Sequence, residues 1–208
     1  MYIKICGITK LDQAQAIAQM GVNALGFICV PSSPRYISAS AIAHITASLN
    51  LDLVGVFLNA SAHEINQTVT QGGLNAVQLH GDESPEFCHQ LRSHLDQIKL
   101  IKALRVRNQA DLAQAQIFSN LVDAILLDAY DPQMAGGTGK TLDWQMLRDF
   151  QPNCDWWLAG GLSPDNVAEA IALVSPNGID VSSGVERSAG DKDLIKVQNF
   201  LTIAKPLD

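Results

Sequence analysis

Several patterns are missing from this chain, and each absence narrows what it does. No apolar run reaches the roughly 18 residues of a membrane span. The first residues already read as a strand, with no signal-peptide pattern, so a soluble, cytoplasmic protein without a membrane partner is expected. The four cysteines, Cys6, Cys29, Cys88 and Cys154, form no CxxC pair. That argues against a zinc site and a redox dithiol, and fits a reducing compartment. Basic residues are outnumbered, 14 Lys and Arg against 21 Asp and Glu for a formal net charge of −7. No basic stripe offers itself to a nucleic acid. Linkers and low-complexity tracts are absent too, so residues 1–208 read as one domain. With 47% hydrophobic and 17% charged residues, that domain has enough apolar material for a sizeable core.

What is present is an alternation of short apolar runs and amphipathic stretches. Strands are expected over 3–6, 24–28, 53–57, 76–79, 98–103, 124–128, 156–159 and 178–181, each followed by a helical pattern. Helix starts are marked by Thr9–Asp12 and Ser61–Glu64, both with capping-box spacing, and by Ser84-Pro85, Asn108 and Ser163-Pro164. Further helices are expected near Leu142 and from about Lys192 to Ile203. Eight such units predict a compact (β/α)8 barrel of the α/β class. A doubly wound open sheet is the alternative. It would usually carry GxGxxG after its first strand, where this chain has Cys6-Gly7-Ile8-Thr9.

In a parallel barrel the chemistry sits where the strands end. Cys6 ends the first strand and Asp128 the sixth. A thiol there is either a small buried hydrophobe or a base whose thiolate fraction is raised by amides at the start of the first helix. The apolar run behind Asp128 points to a partly desolvated carboxyl that keeps a proton. Together a thiol and a carboxyl suit a proton shuffle on one substrate. Arg35, in the proline-stiffened loop after the second strand, is either solvated or a two-pronged holder of a carboxylate. His80 ends strand four and reads as a structural hydrogen-bonding residue.

Gly160-Gly161 and Ser183-Gly184 follow the last two strands, where barrels often bind phosphate. Glycines there also make plain tight turns. The loops hold no Lys or Arg; Arg187 is the nearest. Such a site would rely on backbone amides. Gly136–Lys140 is not a P-loop, because Ala135 stands where GxxxxGK[ST] needs its first glycine. It reads as a mobile loop over the mouth. Lys4 and Lys102 fall inside strands, where each needs a partner that the sequence does not name.

Taken in order, Lys4–Thr9, Pro31–Tyr36, Val77–Gly81, Leu127-Asp128, Gly136–Lys140, Leu158–Leu162 and Asp180–Glu186 resemble phosphoribosylanthranilate isomerase over nearly the whole chain. The resemblance implies a (β/α)8 barrel of tryptophan biosynthesis. It implies an Amadori rearrangement of N-(5-phosphoribosyl)anthranilate to 1-(2-carboxyphenylamino)-1-deoxyribulose 5-phosphate, with no metal and no cofactor. It gives Asp128 the role of general acid, Cys6 that of general base and Arg35 that of carboxylate holder. Gly160, Gly161, Ser183 and Gly184 become the phosphate cradle, and Asp180 a contact to the substrate amine or ring. Cys29 departs from the larger apolar residue usual in the family, away from these roles. A sibling isomerase of histidine biosynthesis would carry two aspartates as its acid–base pair. A catalytically dead, phosphosugar-binding barrel is the reading from another class. No long apolar stripe is left over, so a monomer is expected.

Overall fold

The computed structural model describes residues 1–95, 97–129 and 144–205. Eight parallel strands close into a barrel in sequence order: β1 Tyr2–Cys6, β2 Ala24–Ile28, β3 Asp52–Phe57, β4 Ala76–Leu79, β5 Lys99–Val106, β6 Ala124–Ala129, β7 Asp155–Leu158 and β8 Gly178–Val181. The seam is the β1–β8 pair, in register from Tyr2 opposite Gly178 to Ile5 opposite Val181. Around the barrel stand α1 Leu11–Gln19, α2 Ala39–Thr46, α3 Ala62–Gly72, α4 Pro85–His94, α5 Gln109–Phe118, α6 Val167–Val174 and α7 Leu194–Ala204. Among the described residues between β6 and β7 lies a 3₁₀ turn, Trp144–Leu147. Among the described residues no helix is long and apolar enough to cross a membrane. The glycine-rich stretch 136–140 and the expected helix start near Leu142 lie outside the described residues.

Side-chain alternation along each strand sorts the apolar residues into two cores. Ile3, Ile5, Leu25 and Phe27 point outward, under the helices. Ala24, Val54, Ala76, Ile101, Ala124 and Leu126 fill the interior with mostly small side chains. Tyr2 stacks on Trp157 across the inside, with ring centroids 4.6 Å apart. Gly178 makes room for that indole: a Cβ there would sit 2.7 Å from the Trp157 Cδ1. The floor of the barrel is thus closed by two aromatic rings, and among the described residues the opposite, carboxyl end of the strands carries a cavity.

The helix-start signals divide cleanly. Ser61 and Glu64 form the reciprocal capping box, and Ser84, Asn108 and Asp193 each accept bonds from first-turn amides. Thr9 does not cap α1. The helix starts at Leu11 after Lys10, which gives no side-chain bond. The Thr9 hydroxyl instead donates to the Gly190 carbonyl at 2.6 Å. Ser163 does not open α6, which starts at Val167. Asn166 is the reason: its Oδ1 accepts from the Ser163 amide and its Nδ2 donates to the Gly161 carbonyl, so the turn braces the loop after β7. Lys192 belongs to no helix. It lies in a short antiparallel hairpin, β9 Glu186–Ser188 and β10 Asp191–Lys192, that the apolar pattern does not announce.

Lys102 alternates to the outside of β5 yet is 1% exposed. Its ammonium donates to the Gly81 and Ala103 carbonyls at 2.8 and 2.9 Å and to Glu83 Oε2 at 3.1 Å. Glu83 also accepts from the Asn59 and Gly81 amides, at 2.9 and 3.0 Å. One buried pair therefore ties the loops after β3 and β4 to β5. Removing one partner of such a pair leaves an uncompensated charge and costs about 3–5 kcal/mol. Lys102→Met should lower unfolding stability in urea by about that amount; stability within 1 kcal/mol of the parent, on the order of experimental scatter, would show that the pair does not hold these loops.

Candidate active site

A cavity of about 320 Å³ opens at the carboxyl end of the strands. Cys6, Arg35, His80, Asp128, Asp180 and Ser183 all line it, together with Gly160 and Gly161. They arrive from β1, β6 and β8 and from the loops after β2, β4, β7 and β8, so the closed sheet brings them together. Gly184 packs beneath the lining. A Cβ on it would fall 1.9 Å from the Leu162 carbonyl oxygen, so the loops after β7 and β8 meet at this residue.

Cys6 is 5% exposed, and its space is made by the neighbouring strand. Gly26 stands opposite it in register, and a Cβ there would meet Sγ at 2.6 Å. Burial pushes the thiol above its ordinary value, and Asp180 adds to that, while the Lys4 and Lys192 ammonium groups pull it back. The expected relief from helix amides is absent, because α1 begins five residues further on and Gly7, at φ +80°, turns the chain away first. Cys29 lies off the cavity, and burial pushes its thiol up to about 12.

Across the mouth, Asp128 is 5% exposed, as the apolar run behind it suggested. His80 faces it, with Nε2 3.2 Å from Asp128 Oδ2. The Gln78 amide nitrogen stands 2.8 Å from His80 Nδ1; with Nδ1 as the acceptor the ring proton sits on Nε2, which makes no well-directed hydrogen bond among the described residues. His80 thus lines the cavity beside the carboxyl as well as meeting Gln78. Gln78 was missed in the sequence, although period-two alternation puts Ala76, Gln78 and His80 on one inward face.

Arg35 reaches the mouth, but its fork is partly used. Nε and Nη2 grip the Glu186 carboxylate at distances from 2.7 to 3.1 Å, which leaves Nη1 without a partner among the described residues. Lys192, fully buried, donates to the same carboxylate at 2.7 Å. Glu186 and Lys192 belong to the unannounced hairpin, and no local spacing connects them to Arg35, which precedes Glu186 by 151 residues. Arg187 turns to the solvent side and pairs with Asp191, so it brings no charge to the cavity. Lys4 finds its partner across the seam: Asp180 Oδ1 lies 2.9 Å from its ammonium.

Gly160 and Gly161 take φ values of 85° and 68°, a region that glycine enters without strain. Among the described residues their N–H groups meet no backbone acceptor. Two amides without a partner among the described residues, on glycines that line the cavity, suit an anion. Beside them, a 3₁₀ turn starts at Ser183.

The family model described as N-(5'-phosphoribosyl)anthranilate (PRA) isomerase matches residues 3–202. The chain belongs to this family. The phosphoribosylanthranilate isomerase of Trichormus variabilis is 59% identical over 199 residues, which cover 95% of each chain. The solved phosphoribosylanthranilate isomerase of Thermotoga maritima is 38% identical, with a TM-score of 0.90 over 98% of both chains. Another solved phosphoribosylanthranilate isomerase, 37% identical with a TM-score of 0.85 over 98% of both chains, holds reduced 1-(o-carboxyphenylamino)-1-deoxyribulose 5-phosphate.

Glu186 carries a pH signature. Burial pushes its carboxyl up, but Arg35 and Lys192 outweigh burial and hold it below its ordinary value of 4.5. A carboxyl depressed in the folded state contributes stability that is present above its unfolded pKa and lost as pH falls through the folded one. Glu186→Gln should therefore be less stable than the parent near pH 7, and the gap should close below about pH 4. Melting temperatures of both proteins across that range test this; a gap that stays constant would mean that the carboxylate charge is not what the arginine and lysine require.

Proposed function

We propose that this isomerase converts N-(5-phosphoribosyl)anthranilate to 1-(2-carboxyphenylamino)-1-deoxyribulose 5-phosphate in tryptophan biosynthesis, with Asp128 as general acid and Cys6 as general base. The observation that carries the reading is the opposition of these two side chains across one cavity, from β6 and β1. The Asp128 hydroxyl protonates the furanose ring oxygen as the C1′–O bond breaks. The anthranilate nitrogen supplies its lone pair and a C1′=N⁺ Schiff base forms. The Cys6 thiolate then takes the C2′ proton. The C2′–H electrons become the C1′=C2′ bond of an enolamine, and the nitrogen recovers its pair. Tautomerisation puts a proton on C1′ and leaves the C2′ ketone.

The surrounding groups suit the charges this sequence develops. His80 Nε2–H, oriented by Gln78, faces the Asp128 carboxylate left after the first transfer. The Arg35 Nη1 edge takes the anthranilate carboxylate while Glu186 fixes the guanidinium. The amides of Gly160, Gly161, Ser183 and Gly184 take the phosphate at the other end of the substrate. Asp180 faces the substrate amine or ring from β8. A net charge of −7 makes such local donors necessary for an anionic substrate.

The test generates phosphoribosylanthranilate in place and follows the loss of its fluorescence. A positioned acid or base contributes about 10²–10⁴-fold, so Cys6→Ala and Asp128→Ala should each lower kcat by at least about that factor, with circular dichroism unchanged. A variant of either residue with near-parental kcat would remove that residue from the chemistry.

A further inference from the structure

We propose that Lys4 is a positioning residue for the thiol: its buried ammonium, held by Asp180, stabilises the Cys6 thiolate. The inference rests on the reading of Cys6 as the base. Lys4 and Cys6 are successive inward positions on β1, about 6.6 Å apart along the strand at two residues of roughly 3.3 Å rise. The long lysine stem lies on the same inward face as the thiol and places the ammonium 2.9 Å from Asp180 Oδ1, whose residue lines the cavity together with Cys6. Lys4 is wholly buried, and the aromatic pair Tyr2–Trp157 closes the barrel below it, so water does not share its charge.

Stability alone does not explain an ammonium at this place. A buried ion pair is often replaced by apolar residues without loss of stability. Apart from Asp180, the interior around this level is apolar, with alanine, valine, isoleucine, leucine and the Tyr2–Trp157 pair. What apolar residues would not supply is a positive charge beneath the sulfur. The Lys4–Asp180 contact at 2.9 Å is an ion pair, yet the ammonium makes no well-directed hydrogen bond among the described residues.

The other charges around Cys6 do not duplicate this one. Gly26 of β2, on one side, carries none. Asp180 of β8 is negative and works against a thiolate. Lys192 of β10 acts in the same sense as Lys4, but its ammonium is committed to Glu186 at 2.7 Å and the Ser182 carbonyl at 3.2 Å. Asp128 and His80 stand across the cavity, and Arg35 is turned to Glu186. Lys4 is therefore the cation whose field is directed at the sulfur, and burial of the thiol is the cost it offsets.

The experiment measures the pH dependence of Cys6 alkylation by iodoacetamide, with the label mapped by mass spectrometry, in the parent and in Lys4→Met. Removing an opposite charge at about 4–6 Å shifts a pKa by about 1–3 units. The midpoint of alkylation in Lys4→Met should move upward, and its rate at pH 8 should fall about tenfold or more. Should Lys4→Met fail to fold, the double variant Lys4→Met/Asp180→Leu replaces the whole pair by apolar groups. Its midpoint should also lie above the parent's, because Lys4 acts on the sulfur more strongly than Asp180. An alkylation midpoint at the parent's value in the variant that folds overturns the role of Lys4. The two readings separate: an unmoved midpoint beside an inactive Cys6→Ala removes Lys4 and leaves the base. A moved midpoint beside a fully active Cys6→Ala removes the base and leaves the coupling.

Discussion

Closure of the barrel at the β1–β8 seam is the constraint on which the site depends. Register there sets Lys4 opposite Asp180, and strand alternation then fixes Cys6 as the next inward residue above them. A slip of one residue would turn every one of these side chains to the helix side. The seam also joins the first and last strands, so the loop after β8 and the β9–β10 hairpin come to lie beside the loops after β1 and β2. That adjacency brings Glu186 and Lys192 to Arg35.

Charge at this mouth is held almost entirely in pairs. Lys4 faces Asp180, and Arg35 and Lys192 share Glu186. Each pair sits where lone charges would be strongly disfavoured. The arrangement leaves side chains rigid before a ligand arrives, which is what proton transfer between fixed groups requires. Among the described residues it leaves the Nη1 edge of Arg35 and the amides of Gly160 and Gly161 without partners.

Much of this was legible in the chain. The eight strands stand within a few residues of where the apolar runs put them, and Ser61–Glu64, Ser84-Pro85 and Asn108 cap as their spacing implies. Cys6, Asp128 and the glycines after β7 were readable because strand ends mark the mouth of a parallel barrel. Thr9 and Ser163 misled because the same residues serve distant partners: Thr9 bonds to Gly190 and the Ser163 turn is taken up by Asn166. The β9–β10 hairpin has only three- and two-residue strands, too short for periodicity to register. The direction of the Cys6 shift depends on burial and on Lys4, Asp180 and Lys192, which are neighbours in space and scattered in sequence.

The central claim is that acid and base address one bound substrate from opposite sides of the cavity. A crystal structure with reduced 1-(o-carboxyphenylamino)-1-deoxyribulose 5-phosphate tests it most directly. The account expects the phosphate on the amides of Gly160, Gly161, Ser183 and Gly184, the aromatic carboxylate against Arg35, and the sugar carbons between Cys6 Sγ and the Asp128 carboxyl. A bound ligand whose C1′ and C2′ atoms lie out of reach of either Cys6 or Asp128 would contradict it.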